Sequence, residues 1–237
     1  MPDHPIKVIN TRPPPDADTF TQAILAAGGQ PILSPVMAIR FRDVKAPVEG
    51  DEALAFTSAN GVRAFARANA GQRPKAFAVG AATADEARRA GFADIATADG
   101  DAESLAELVA RSKTSKKILH LAGSDRAGDL VAALTVRGVA ARRLVLYDAI
   151  PEADLTPQAR LALSAEPENC AVGLFSPRSA ALFIAQICRA GLEDRLPCAT
   201  VLAFSGAVAA AAQPERWRAV KIAAERSPSA MAALVGA

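Results

Sequence analysis

The chain has 237 residues, 51% of them hydrophobic, enough for one large domain or two small ones with packed cores. Lys and Arg number 27 against 25 for Asp and Glu, with no block of like charge, so a nucleic-acid backbone is not an expected partner. Aromatics are only 5% of the chain, which argues against stacking platforms for single-stranded nucleic acid. From the N-terminus, "KVINTR", "ALAFTS", "KAFAVG", "KILHLAG", "RRLVLYDAI", "VGLFSP", "TVLAFS" and "VKIAAE" read as strands, with amphipathic helical patterns between them. Continuous apolar runs of this length, alternating with helices, predict an α/β fold with parallel sheet buried on both faces.

Helix ends are well marked. Gly28, Gly91, Gly138 and Gly191 each follow a helical pattern where a left-handed residue is wanted. Thr156-Pro157, Ser176-Pro177 and Ser227-Pro228 place a capping hydroxyl before a proline at the first helical position. The opening "MPDHPIKVIN" has no basic leader before a long apolar run, and no apolar run approaches the roughly 20 residues that span a bilayer. Cys170, Cys188 and Cys198 are odd in number and too widely spaced for a CxxC pair, so neither a disulfide framework nor a zinc site is indicated and a soluble, cytoplasmic protein is expected.

The chain also repeats itself. Val8 aligns with Ile118 (offset 110), Ser58 with Ser176 (118), Val79 with Phe204 (125) and Val109 with Val235 (126). Offsets that only grow fit a duplicated unit of about 110 residues that gained loop residues. Three breaks compete as domain boundaries: "RSKTSKK" at 111–117 and the charged, Pro-containing stretches 40–52 and 148–158.

Candidate chemistry starts from what is missing. His4 and His120 are the only histidines, and His120 sits in an apolar strand, so it reads as a core residue and a His-based triad or metal site has almost nothing to use. No phosphate-binding glycine loop and no paired acidic motif at metal-binding spacing is present, and no cofactor is expected. What remains is a set of strand-to-helix corners: Thr11-Arg12, Ser58 to Asn60, Gly80 to Thr83, Gly123-Ser124, Ser176-Pro177 and Ser205-Gly206. In a parallel sheet such corners lie at the carboxyl edge, where ligands bind, and helix N-termini there hold carboxylates or phosphates without lysine. The same Ser, Thr and Gly residues also serve as plain caps. Arg12 and Arg126 follow strands near such corners, as carboxylate clamps or as solvated residues. Tyr147, the single tyrosine, closes the strand "RRLVLY", as a packing residue or a proton donor.

The ordered segments "TRP", "GG" with "PILSPVMAI", "FTSANGV", "AVGAAT", "GSDRAGDLVAALTVRG", "LVLYDAI" and "FSPRSA" resemble the uroporphyrinogen-III synthase family over essentially the whole chain. The resemblance implies two flavodoxin-like α/β domains joined by a two-stranded connector, with the active site in the cleft between them. The first would comprise residues 1–37 and 153–237, the second 40–148, with connectors near 38–52 and 148–158. The implied reaction is cyclisation of hydroxymethylbilane, a linear tetrapyrrole with eight carboxylates, to uroporphyrinogen III. Water is lost as the pyrrole nitrogen of ring A expels the hydroxyl; ring D attacks through its substituted carbon, and a spiro intermediate reopens with that ring inverted. No cofactor is implied, the enzyme would be a cytoplasmic monomer, and a transient contact with the enzyme that makes the bilane is a further implied partner.

Carried over by position, the binding corners fall on Thr11, Arg12, Ser58, Asn60, Gly80, Thr83, Gly123, Arg126, Ser176 and Pro177, and the proton donor on Tyr147. The chain departs from the pattern at Val208, where relatives place a hydroxyl, leaving Ser205 as the nearby substitute, and at Ala122, where they usually carry Arg. Two readings rival the enzyme: a two-lobed protein that closes on a small anionic ligand without chemistry, and a receiver-like signalling module, for which the corners lack the acidic cluster.

Overall fold

The structure, a computed structural model, describes residues 5–112, 117–125 and 128–236. The chain folds as two compact units, one combining the segment up to Ala38 with that from Ile150 onward, the other running from Ile39 to Ala149. In the first, β1 (Lys7–Asn10), β2 (Gln30–Leu33), β9 (Cys170–Leu174), β10 (Thr200–Ala203) and β11 (Ala219–Ile222) form an all-parallel sheet in the order β11-β10-β9-β1-β2. In the second, β3 (Met37–Phe41), β8 (Ala140–Pro151), β7 (Lys117–Gly123), β4 (Ala53–Phe56), β5 (Ala76–Ala78) and β6 (Ile95–Thr97) lie in the order β3-β8-β7-β4-β5-β6, and the five strands from β8 to β6 pair in parallel. The chain passes between the units inside β3 and β8, which are hydrogen-bonded neighbours.

The repeat explains this arrangement. By the offsets above, β7 and β8 correspond to β1 and β2, and β4, β5 and β6 to β9, β10 and β11. The orders β8-β7-β4-β5-β6 and β2-β1-β9-β10-β11 are therefore the same order of equivalent strands. Each sheet reverses direction once, between β1 and β9 in the first unit and between β7 and β4 in the second. Such reversal points are where doubly wound sheets bind ligands, because the flanking helices leave the two corners in opposite directions.

All eight strands expected from the sequence are present. Three more were not expected: β2 carries Pro31 at a sheet edge, β3 alternates between half-buried and exposed residues, and β6 is three residues long. Central strands are buried on both faces. In β4, Leu54 and Phe56 enter one core with Val62, Phe65, Leu119 and Leu121, while Ala53 and Ala55 enter the opposite core with Phe77, Leu105 and Leu130. The first unit has the same two-layer plan, with Phe183, Val172 and Trp217 on one side and Phe20, Ile24 and Met231 on the other.

Helix ends follow the expected chemistry. Gly28, Gly91, Gly138 and Gly191 have φ of +77°, +90°, +75° and +65°. Thr156, Ser176 and Ser227 cap α6 (Pro157–Ala165), α7 (Pro177–Ala190) and α9 (Pro228–Ala233), each with proline in the first turn. The charged stretch after β3 is fastened to the second unit: Ala46 is buried, and Glu52, also buried, accepts two hydrogen bonds from Arg142 at 2.6 and 2.7 Å. The Arg142 hydrogen bond holds the Glu52 carboxyl below its ordinary pKa. Among the described residues no helix is long and apolar enough to cross a membrane.

Candidate active site

At the reversal point of the first unit, β1 ends in Asn10, which is fully buried. Its Nδ2 donates to the Ala17 carbonyl (2.9 Å) and to Thr21 Oγ1 (3.1 Å), and its Oδ1 accepts from the Arg12 backbone N–H (3.1 Å). This one side chain ties the turn after β1 to α1 (Asp16–Ala26). Thr11 is buried too, and its hydroxyl donates to the Gly173 carbonyl of β9 at 2.5 Å, so it stitches the two strands at the reversal. Arg12 lies 4.6 Å above the Phe175 ring and 3.2 Å from Asp16. The aromatic face orients a guanidinium that keeps about a quarter of its side-chain surface open, so it can still meet an anion. Ser176 caps α7 in a reciprocal box with Ser179, with Pro177 in the first turn. Ser205 caps α8 (Gly206–Ala211), accepting from the Val208 backbone N–H at 3.4 Å; Val208 itself is buried.

The second unit builds its reversal point from β4 and β7. Ser58 caps α2 (Ala59–Ala68), its Oγ accepting from the N–H groups of Asn60 (3.1 Å) and Gly61 (3.4 Å). A side chain at Gly61 would sit 2.7 Å from the Leu121 carbonyl oxygen, so its absence lets α2 lie directly on β7. Gly123 ends β7 at a register irregularity, opposite Tyr147. A Cβ there would meet the Tyr147 ring at 2.7 and 2.8 Å; bare backbone is what lets the ring cross the strand end. Two glycines thus bring Ser58 and Tyr147 together, with Oγ and Oη 2.9 Å apart. Burial, the largest influence, raises the Tyr147 pKa, against lowering by Ser58 and the Gly123 backbone, so the phenol holds its proton at neutral pH.

Other expected residues lie nearby in the same sheet. Asn60 Oδ1 accepts from Arg63 (2.9 Å), which also reaches Glu86 (3.0 Å) on α3 (Ala81–Arg89). Gly80 caps α3 at the end of β5, and Thr83 is buried in its first turn. Arg126 lies outside the described residues, as does His4. His120 is buried in β7, its Nε2 3.1 Å from Thr57 Oγ1 and its Nδ1 without a partner; burial lowers its pKa to about 4. It is a neutral core residue. Ala122 is buried within β7, and a guanidinium reaches this corner from β8 instead: Arg143 donates to the Gly123 carbonyl and, at 3.3 Å each, to those of Ser124 and Asp125.

Sequence reasoning missed Asn10, Gly61 and Arg143. Gly61 carried a faint signal, a glycine in the first turn of a helix where propensity disfavours it. Arg143 carried none without the β7–β8 register that sets it opposite His120.

Two solved structures share this fold. A uroporphyrinogen III synthase from the extremely thermophilic bacterium Thermus thermophilus is 22% identical over 95% of both chains, with a TM-score of 0.56. The Helicobacter pylori uroporphyrinogen-III synthetase is 16% identical over 98% of both, with a TM-score of 0.64. No curated protein sequence matches the chain. The model of the family described as uroporphyrinogen-III synthase HemD matches residues 18–233. With nearly all of its length accounted for by that match, the chain belongs to the uroporphyrinogen-III synthase family.

Proposed function

We propose that the chain converts hydroxymethylbilane to uroporphyrinogen III without a cofactor, with Tyr147 giving a proton to the hydroxyl that leaves ring A. The observation that carries this is a half-buried, protonated phenol held against the cap of α2 at the sheet reversal, in a chain whose one described histidine is neutral core. As the ring A pyrrole nitrogen pushes electrons toward the methylene, the C–O bond breaks, the phenol proton passes to the hydroxyl, and water leaves. A phenol partly withdrawn from water and fixed by a hydrogen bond does this better than a freely solvated one, because its proton is aimed and less exchanged with bulk water.

The substrate's carboxylates find two kinds of partner. The N-termini of α2, α3 and α7 offer backbone N–H groups and the positive end of the helix dipole, and Arg12 offers a guanidinium set by Phe175. The free bilane closes by itself to the isomer with ring D unflipped. Holding its carboxylates at fixed points favours the strained spiro closure over the direct one, so most of the catalysis is conformational. Both sets of corners come from one chain, and a monomer is the working unit. Cys170, Cys188 and Cys198 are free thiols, in keeping with a reducing cytoplasm.

The test is product identity. Purified protein given enzymatically generated hydroxymethylbilane should yield the type III isomer, and recovery of only the type I isomer would refute the enzyme reading. Tyr147→Phe should slow type III formation about 100-fold or more while leaving substrate binding near normal. An unchanged rate would leave Tyr147 as a packing residue.

A further inference from the structure

The 2.9 Å contact between Ser58 and Tyr147 joins two hydroxyls, and distance alone does not say which one donates. The surroundings do. A serine oxygen has two lone pairs and one proton. The Ser58 oxygen accepts from two backbone N–H groups, that of Asn60 at 3.1 Å and that of Gly61 at 3.4 Å, the latter shared with the Ser58 carbonyl at 3.1 Å, as its position at the head of α2 requires. Amide nitrogens cannot accept, so among the protein groups recorded against Ser58 the phenol oxygen is the one acceptor for its proton.

We propose that Ser58 is a positioning residue whose role as helix cap fixes the direction of its bond to Tyr147, so that the phenol accepts from Ser58 and its own proton stays free for the substrate. The usefulness of that free proton rests on the acid role of Tyr147 proposed above; the direction of the bond does not. Were the phenol instead to donate to Ser58, its proton would be engaged with the protein and would have to be released before it could serve. Gly123 completes the arrangement, since any side chain there would push the ring out of reach of Ser58. Besides burial and the neutral Ser58 hydroxyl, the groups acting on the phenol are the charged Asp125, which opposes ionisation, and the charged Arg143 and the Gly123 backbone, which favour it.

Tyr147 is the only tyrosine of the chain, so the near-ultraviolet tyrosinate absorbance of the intact protein reports this one phenol. Three variants separate the possibilities. Ser58→Ala removes the donor and should lower the tyrosine ionisation constant about tenfold, the effect of one hydrogen bond to the anion. Ser58→Thr, which can cap and donate alike, should titrate with the wild type. Ser58→Asp still caps α2 but offers the phenol only an acceptor, and should suppress ionisation further than Ala does. Circular dichroism, read alongside, checks that each variant is folded, and the Thr and Asp variants keep the cap if the Ala variant unfolds. A Ser58→Ala or Ser58→Asp titration superimposable on the wild type would overturn the proposal, as would a Ser58→Thr titration that follows Ala. If the titrations shift as expected while type III formation is unaffected by Tyr147→Phe, the bond direction stands and the acid role of Tyr147 falls.

Discussion

His120 offers a test of the second unit's core that is independent of substrate. It is buried in β7, accepts or donates only through Nε2 to Thr57, and is held neutral, with its pKa lowered from 6.5 to about 4 chiefly by burial and further by Arg143, against a smaller raising effect of Asp129. The unfolded chain protonates this imidazole near 6.5, and the native one does so only near 4. Between those values the unfolded state binds more protons, so stability falls as pH falls. Above about 6.5 the residue contributes no pH dependence, and below about 4 both states are protonated and the loss is complete. At about 1.4 kcal/mol per pH unit, the whole interval is worth about 3 kcal/mol. The assay is urea denaturation of the wild type and of His120→Gln at pH values from about 8 to about 4, with NMR titration of the imidazole in the folded protein. The wild type should lose about 3 kcal/mol more than the variant over that range, and the His120 resonances should stay unprotonated down to about pH 4.5. Parallel stability curves, or an imidazole that titrates near 6.5, would show that the β4–β7 junction admits water and that the neutral core assignment is wrong.

Gly123→Ala places a methyl 2.7 Å from the Tyr147 ring, so the ring must move and the phenol must leave Ser58; stability should drop by about 1–3 kcal/mol and type III formation should fall toward the Tyr147→Phe level, read by urea midpoints and isomer analysis. Arg12→Ala should raise KM more than it lowers kcat under the proposed role of the guanidinium over Phe175 as a clamp for a carboxylate remote from the bond that breaks; steady-state kinetics decide it, and a fall in kcat alone would refute the clamp. Asp148 accepts two hydrogen bonds from Arg42, at 2.9 and 2.6 Å, which with Ser124 lower its pKa to about 2. Its stabilising effect is therefore present above 3.8 and lost as pH falls through about 2, so the Asp148 carboxyl should titrate near 2 by NMR in the wild type and move up in Arg42→Ala while staying below 3.8, because Ser124 still lowers it.

What the sequence made legible divides along physical lines. Central strands such as "ALAF" were visible because burial on both faces forces a continuous apolar run. Caps were visible because Ser-Pro and a following Gly carry their geometry in their own chemistry. The edge strands β2 and β3 were not, since an edge needs neither full burial nor an unbroken run. The candidate site was legible as a set of corners but not as contacts. Thr11 and Ser58 both look like hydroxyls waiting for a ligand, yet one is sealed against Gly173 and the other is turned to Tyr147. Which outcome applies depends on the register of the strand alongside, information that lies more than 80 residues away in the chain in both cases. Gly123 shows the same limit: its reason for being glycine is the ring of Tyr147, delivered by the neighbouring strand.

The repeat sharpens this point, because Ser58 and Ser176 are equivalent corners solved differently. Three residues beyond Ser176 stands Ser179, whose hydroxyl lies 3.2 Å from that of Ser176 and also accepts from the Ser176 backbone N–H at 2.9 Å. The cap of α7 is thereby closed on itself, and its hydroxyls are occupied within the helix. Three residues beyond Ser58 stands Gly61, because α2 rests on the backbone of β7 and leaves no room for a side chain. The Ser58 proton then has no partner in its own helix and reaches across the sheet to Tyr147. A packing requirement at one glycine opens a capping box, and the hydroxyl so released orients the phenol. The two halves of a duplicated fold can in this way share corners and topology while only one of them sets a phenol against its helix cap.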